Sequence, residues 1–169
     1  MTADAQTPPN TVPELDPENT LLLDTEYGRV VMALRPDVAP NTVARIKELT
    51  RQGFYDGIKF HRVIDGFMAQ TGDPNGDGTG GSGLKLKAEF NDVPHLRGTL
   101  SMARTSDPDS ADSQFFICFN RTPFLDNEYT VFGRVVKGME FVDQLQRGEP
   151  PMKPSIIVRM QVMADAGDA

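Results

Sequence analysis

From Thr20 onward the sequence is cut into short runs of aliphatic, β-branched and aromatic residues, each closed by Gly, Pro, Asn or Asp. Runs of this length are too short for stable helices and the right length for strands, so a chain built of them has to fold as a β protein. The first two, 20–25 and Arg29 to Leu34, meet through Tyr27-Gly28 as a hairpin does. The others are Phe60 to Ile64, Met68 to Thr71, Leu84 to Phe90, Thr99 to Ala103, Gln114 to Phe119, Thr130 to Val136 and Ile156 to Met163. Only two segments carry helical spacing. Asn41-Thr42 can cap one, with Val43, Ile46 and Leu49 on one face and Gly53 as a left-handed stop, which predicts a helix over about 41–52. In the other, Met139, Val142 and Leu145 form a stripe that ends at Gly148. About eight strands and two helices predict a mainly β fold: a closed eight-stranded antiparallel barrel, which has no exposed edge, with two α-helices over its open ends.

The 169 residues suffice for one buried core, expected over 20–164. Residues 1–19 place Pro8, Pro9, Pro13 and Pro17 among Thr, Asn and acidic residues, a flexible acidic tail by composition, and 165–169 form a short C-terminal tail. Of the net charge of −7, six acidic residues lie in these tails, which leaves the folded part at −1. A nearly neutral domain has no basic stripe for nucleic acid or anionic lipid. The longest purely aliphatic stretch, Leu21 to Leu23, cannot span a bilayer, and no Lys or Arg precedes an apolar segment at the start. A cytoplasmic protein is expected, and the absence of a heptad seam predicts a monomer.

Other chemistries lack their parts. Gly78-Thr79-Gly80-Gly81-Ser82-Gly83 spells a dinucleotide fingerprint, but the strand-like Leu84-Lys85-Leu86-Lys87 follows where a helix is required. Leu84 also replaces the lysine of a phosphate loop and the glutamate that would end a calcium loop begun by Asp73, Asn75 and Asp77. One cysteine and two histidines leave few soft ligands for a zinc site, so no metal or cofactor is expected. Cys118, inside Phe115-Phe116-Ile117-Cys118-Phe119, reads as a buried small hydrophobe. The Asn120-Arg121-Thr122 sequon matters only in a secreted chain. There is no Gly-x-Ser-x-Gly elbow.

The segment Phe60-His61-Arg62-Val63-Ile64-Asp65-Gly66-Phe67-Met68-Ala69-Gln70-Thr71-Gly72-Asp73 is unusual. Strand alternation sends His61 and Arg62 to opposite sides, and Met68 and Ala69 likewise. Taken alone it reads as a strand with a solvated Arg62 beside core Phe67 and Met68. Followed in order by Gly78-Thr79-Gly80-Gly81, Leu100-Ser101-Met102-Ala103, Ser113-Gln114-Phe115-Phe116-Ile117 and Val131-Phe132-Gly133-Arg134-Val135, it resembles the cyclophilin family of peptidyl-prolyl cis-trans isomerases over about 20–164.

The resemblance implies an eight-stranded barrel with two helices and an enzyme that needs no cofactor. It implies that Arg62 is the catalytic arginine and Gln70 its orienter. Phe67, Met68, Phe116 and Leu125 would line an apolar proline pocket, with Phe124 and Tyr129 at its rim. Ala103, Arg104 and Thr105 would pair with substrate backbone, Gln114 would face the groove, and Gly78 would form a close backbone wall. The implied partners are proline-containing peptides and flexible or unfolded segments. A proline-peptide binding module is the competing reading, and Arg62 discriminates, because gripping a proline ring requires no guanidinium. Phe124 stands where many relatives carry Trp, so an indole donor is missing and weakened cyclosporin A binding is implied. Tyr129 replaces a common His, Arg104-Thr105 a common Asn-Ala, and Asp65 a frequent Pro.

Overall fold

The structure, a computed structural model, describes residues 15–166. Most of the expected N-terminal tail, 1–14, and residues 167–169 lie outside the described residues. At the tail's end, Pro17–Asn19 form a 3-10 turn capped by Asp16, and Glu18 pairs with Lys47 and Arg51 at 2.6 and 2.9 Å.

Eight strands form one antiparallel sheet: β1 (Thr20–Thr25), β2 (Arg29–Leu34), β3 (Arg62–Ile64), β4 (Met68–Thr71), β5 (Thr99–Met102), β6 (Phe115–Cys118), β7 (Val131–Lys137) and β8 (Ile157–Val162). Their order across the sheet is β3-β4-β6-β5-β7-β2-β1-β8. The expected closed barrel is corrected, because no ladder joins β3 to β8. Pro150, Pro151 and Pro154 have no N–H to give in the approach to β8. Among the described residues the gap is crossed by scattered backbone bonds, Gly57 and Phe60 donating to Ile157 and Ser155 and Ile157 donating to Ile58, and by two isolated bridges, Lys59 with Ile156 and Val63 with Gly148.

Leu84 to Phe90 is not a strand either. It makes a single bridge, Leu86 with Ala111, while the N–H groups of Ala88 and Glu89 go to the side chains of Asp109 and Thr130. An extended run whose donors are taken by side chains cannot extend a ladder.

Helix α1 (Pro40–Arg51) begins one residue earlier than its pattern predicts, and Asn41-Thr42 do not cap it. Its N-cap is Ala39, and the Glu89 carboxylate instead accepts from Asn41 N–H, Thr42 N–H and Thr42 Oγ1. Gly53 follows at φ +73°. Helix α2 is only Met139–Val142; beyond it Gln144 and Leu145 bond three residues back, a tighter winding, and Arg147 donates to the Asp143 and Leu145 carbonyls. The stripe still buries Val142 and Leu145. Both helices send these side chains, with Val43, Ile46 and Leu49, into the main core.

Candidate active site

Strand alternation builds two apolar clusters from the same strands. Val63, Ala69, Phe115 and Ile117 point into the main core, while Met68, Phe116 and Cys118 point out of it and pack with Leu125 as a second cluster. Ile64, Phe67, Ala103 and Tyr129 lie against that second cluster. The apolar residues of β6 on both faces are therefore no anomaly, since one face joins the main core and the other the second cluster.

The registers place polar groups beside it. Arg62 on β3 lies opposite Gln70 on β4, Gln70 opposite Phe116 on β6, and Phe116 opposite Ser101 on β5. Arg62 Nη1 donates to Gln70 Oε1 at 3.2 Å, Gln70 Nε2 to Gln114 Oε1 at 2.9 Å, and Gln114 Nε2 to the carbonyls of Gly78 and Gly80 at 3.0 and 2.9 Å. Each amide is oriented by the next, so the chain of bonds ends on backbone. Arg62 Nε also donates to Glu149 Oε1 at 3.2 Å.

A cavity of about 300 Å³ opens here, in the size range of small-ligand sites. Of the residues the resemblance implies, Arg62, Gln70, Phe67, Met68, Gly78, Ala103, Arg104, Phe116, Leu125 and Tyr129 line it. Thr105 and Gln114 do not; they line an adjoining cavity of about 370 Å³ that shares Gln70, Gly78, Ala103 and Arg104. Phe124 lines neither and stands 65% exposed, its ring 5.7 Å from that of Phe67. Ala103 N–H is taken by Gln114 O at 3.0 Å, whereas the Arg104 N–H has no acceptor among the described residues. The Arg104 guanidinium folds over Tyr129, 4.6 Å from the ring centroid, and donates to Glu128 O.

Three further residues neighbour the site, none of them among the site residues the resemblance implies. His61 lines the cavity together with Arg62 although strand alternation predicted opposite sides, because β3 starts only at Arg62. It is 6% exposed, its Nδ1 has no hydrogen-bond partner, and burial pushes its pKa down, with Asp73 offsetting part of that. His95 is fully buried and stacks beneath Phe116, ring centroids 6.2 Å apart. Its Nδ1 meets Asp126 and its Nε2 meets Ser101 Oγ, each at 2.9 Å. A lone histidine without a spacing partner gave no signal of either role. Glu149 is the third, and nothing local in the sequence connects it to Arg62.

The glycine-rich loop is held at both ends by carboxylates. Asp73 accepts the N–H groups of Asn75, Asp77 and Gly78, and Asp112 those of Ser82 and Gly83. Burial raises the Asp73 pKa, but these N–H bonds outweigh it and hold the carboxyl below its ordinary value. Gly72 makes the approach possible: at φ +97°, an added Cβ would lie 2.5 Å from Ser113 O and 2.9 Å from Gln114 Cα. No helix follows Gly83; the chain runs on to the bridge at Leu86. Among the described residues no three His, Cys, Asp or Glu side chains gather as a metal site. The Cys118 thiol is pushed up to about 11 by burial, consistent with its reading as a packed side chain.

Residues 20–162 match the family described as cyclophilin type peptidyl-prolyl cis-trans isomerase. A probable peptidyl-prolyl cis-trans isomerase of Brucella suis is 48% identical over 167 residues, covering 89% of this chain and 85% of the relative. The solved cyclophilin of Hirschia baltica superposes with a TM-score of 0.83 at 32% identity, over 89% of this chain and 76% of the other. A Cryptosporidium parvum cyclophilin type peptidyl-prolyl cis-trans isomerase, solved in the presence of the dipeptide Ala-Pro, gives 0.79 at 30% identity, over 85% and 98%. The chain belongs to the cyclophilin-type peptidyl-prolyl cis-trans isomerases. It is an enzyme of cis-trans interconversion at X-Pro bonds.

Proposed function

We propose that the proline ring of the substrate sits on Met68, Phe116 and Leu125, and that Arg62 stabilises the twisted amide. The observation that carries this reading is the juxtaposition of a guanidinium, oriented by Gln70, with an apolar cavity of about 300 Å³. The barrier of roughly 18–20 kcal/mol comes from C–N double-bond character, which is lost when the bond twists and the prolyl nitrogen regains its lone pair. An N–H of Arg62 donates to that lone pair far more strongly in the twisted state than in the planar one, which is differential transition-state binding. Spontaneous exchange takes about 10–100 s, so a turnover near ~10³ s⁻¹ would correspond to a barrier lowered by about 5–7 kcal/mol. One half-exposed hydrogen bond does not supply that. The pocket holds the ring and excludes water, and the unpartnered Arg104 N–H anchors substrate backbone while the carbonyl on the other side rotates.

Substrates are proline-containing peptides and flexible or unfolded segments. The presence of Ala-Pro with the Cryptosporidium parvum relative supports this choice. Thr105 and Gln114, in the adjoining cavity, contact residues further along the peptide, and Phe124 forms a loose apolar rim. Cyclosporin A binds weakly for want of an indole donor at Phe124. The enzyme works as a monomer, since one chain supplies every residue of the groove, and in the cytoplasm, where a single unpaired cysteine is stable.

Titration with a short Ala-Pro peptide, followed by NMR, tests the placement. Shifts confined to Arg62, Met68, Ala103, Arg104, Phe116 and Leu125 are expected. Shifts restricted to 79–83 and Asp112, around the adjoining cavity, would overturn it.

A further inference from the structure

The guanidinium proposed to act on the twisted amide is held from two sides, and only one holder is on its own hairpin. Gln70 takes an Nη1 proton, and Glu149 takes the Nε proton from a turn 87 residues further along the chain. A single bond to Nη1 leaves the planar group free to swing about it, whereas a second bond at Nε fixes the plane. Three of the five N–H groups then remain for a substrate.

The turn that carries Glu149 is built to keep it there. Val63 and Gly148 exchange both backbone hydrogen bonds, at 2.8 and 2.9 Å, in an antiparallel bridge. That register sets Glu149 opposite Arg62 and Arg147 opposite Ile64. Arg147 donates to Asp65 on the tip of the same hairpin at 3.1 Å and lies 4.4 Å over the Phe119 ring. Past the bridge the chain doubles back so closely that a Cβ on Gly148 would stand 2.5 Å from Pro151 Cα. The two prolines after Glu149 have fixed φ, so the carboxylate is mounted on a stiff turn rather than a wandering loop. Glu149 pairs with no other cation among the described residues.

We infer that Glu149 is a positioning residue for the isomerisation, a carboxylate registered opposite Arg62 that fixes the plane of its guanidinium at the proline cavity. The inference rests on the reading of Arg62 given above. It concerns orientation rather than fold stability, since the side chains are 44% and 57% exposed and such pairs hold a fold together only weakly.

The test uses the full chain with Glu149→Ala, Glu149→Gln and Glu149→Lys, reading peptide cis-trans exchange, peptide affinity and the Nε–H resonance of Arg62. Glu149→Ala is expected to lower the catalysed rate about threefold at unchanged peptide affinity. Its Arg62 Nε–H exchanges faster with solvent. Glu149→Gln, whose amide oxygen still accepts, restores most of both readouts, and Glu149→Lys loses more than Ala. An unchanged rate in Glu149→Ala overturns the inference whether or not the Nε–H changes, and so does a loss that appears in peptide affinity alone. Arg62→Ala, measured alongside, separates the two levels: if it keeps full catalysis, the reading of Arg62 itself fails.

Discussion

Helix α1 is capped from the wrong part of the chain, and that gives a quantitative handle on the fold. Its N-cap residue, Ala39, has no side-chain acceptor, and Pro40 has no N–H, so Asn41 and Thr42 carry the first open donors. The Glu89 carboxylate takes both, at 3.1 and 2.7 Å, and also the Thr42 hydroxyl at 2.7 Å. A side-chain cap is worth about 1 kcal/mol and a carboxylate at a helix N-terminus about 0.5 kcal/mol more. Truncation also strands the buried Thr42 hydroxyl, which brings the expected cost of Glu89→Ala to about 2 kcal/mol. For a chain of this length that lowers Tm by about 4–8 °C. Glu89→Gln keeps one accepting oxygen and should lose about half as much. Urea and thermal unfolding of the two variants beside the native protein make the measurement. A Glu89→Ala variant within about 0.5 kcal/mol of native would refute the trans-cap reasoning.

Three further outcomes are expected. Gln70→Leu removes the acceptor for Arg62 and the donor to Gln114, and should lower kcat/KM about tenfold with the fold intact by circular dichroism. Burial lowers the pKa of both His61 and His95 below 6.5, so the unfolded chain binds the first protons as pH falls; stability is full above pH 6.5 and declines below it, and His61→Gln should flatten that decline in an unfolding series. Phe124→Trp supplies an indole N–H at the rim and should tighten cyclosporin A several-fold by calorimetry, while an unchanged affinity would discard the missing donor as the cause.

How far the sequence could be read depended on how local the cause was. The hairpin of β1 and β2 and the span of β4 are written in short β-like runs bounded by turn residues and match the structure residue for residue. Alternation also separates Met68 from Ala69 correctly, one facing the second apolar cluster and one the core. Leu84 to Phe90 alternates just as well yet is not a strand, because its donors are claimed by Asp109 and Thr130 from distant segments. Barrel closure failed for a similar reason: prolines at 150, 151 and 154 remove N–H donors from the approach to β8, and the segments that would close the sheet meet only in isolated bridges. In the site, residues within the quoted motifs were legible through the family resemblance. Glu149, and the His95 pair with Asp126 beneath Phe116, arise from contacts between segments that carry no shared spacing.

The central claim is that Arg62 acts on the twisted amide and not on the ground-state peptide. Exchange of an Ala-Pro peptide, measured by NMR with the native protein and Arg62→Ala at equal concentration, tests it most directly. The account predicts strong catalysis in the native protein and a loss of about a hundredfold or more in Arg62→Ala, with peptide affinity changed little. Retained catalysis in Arg62→Ala, or a loss matched by an equal loss of affinity, would contradict it.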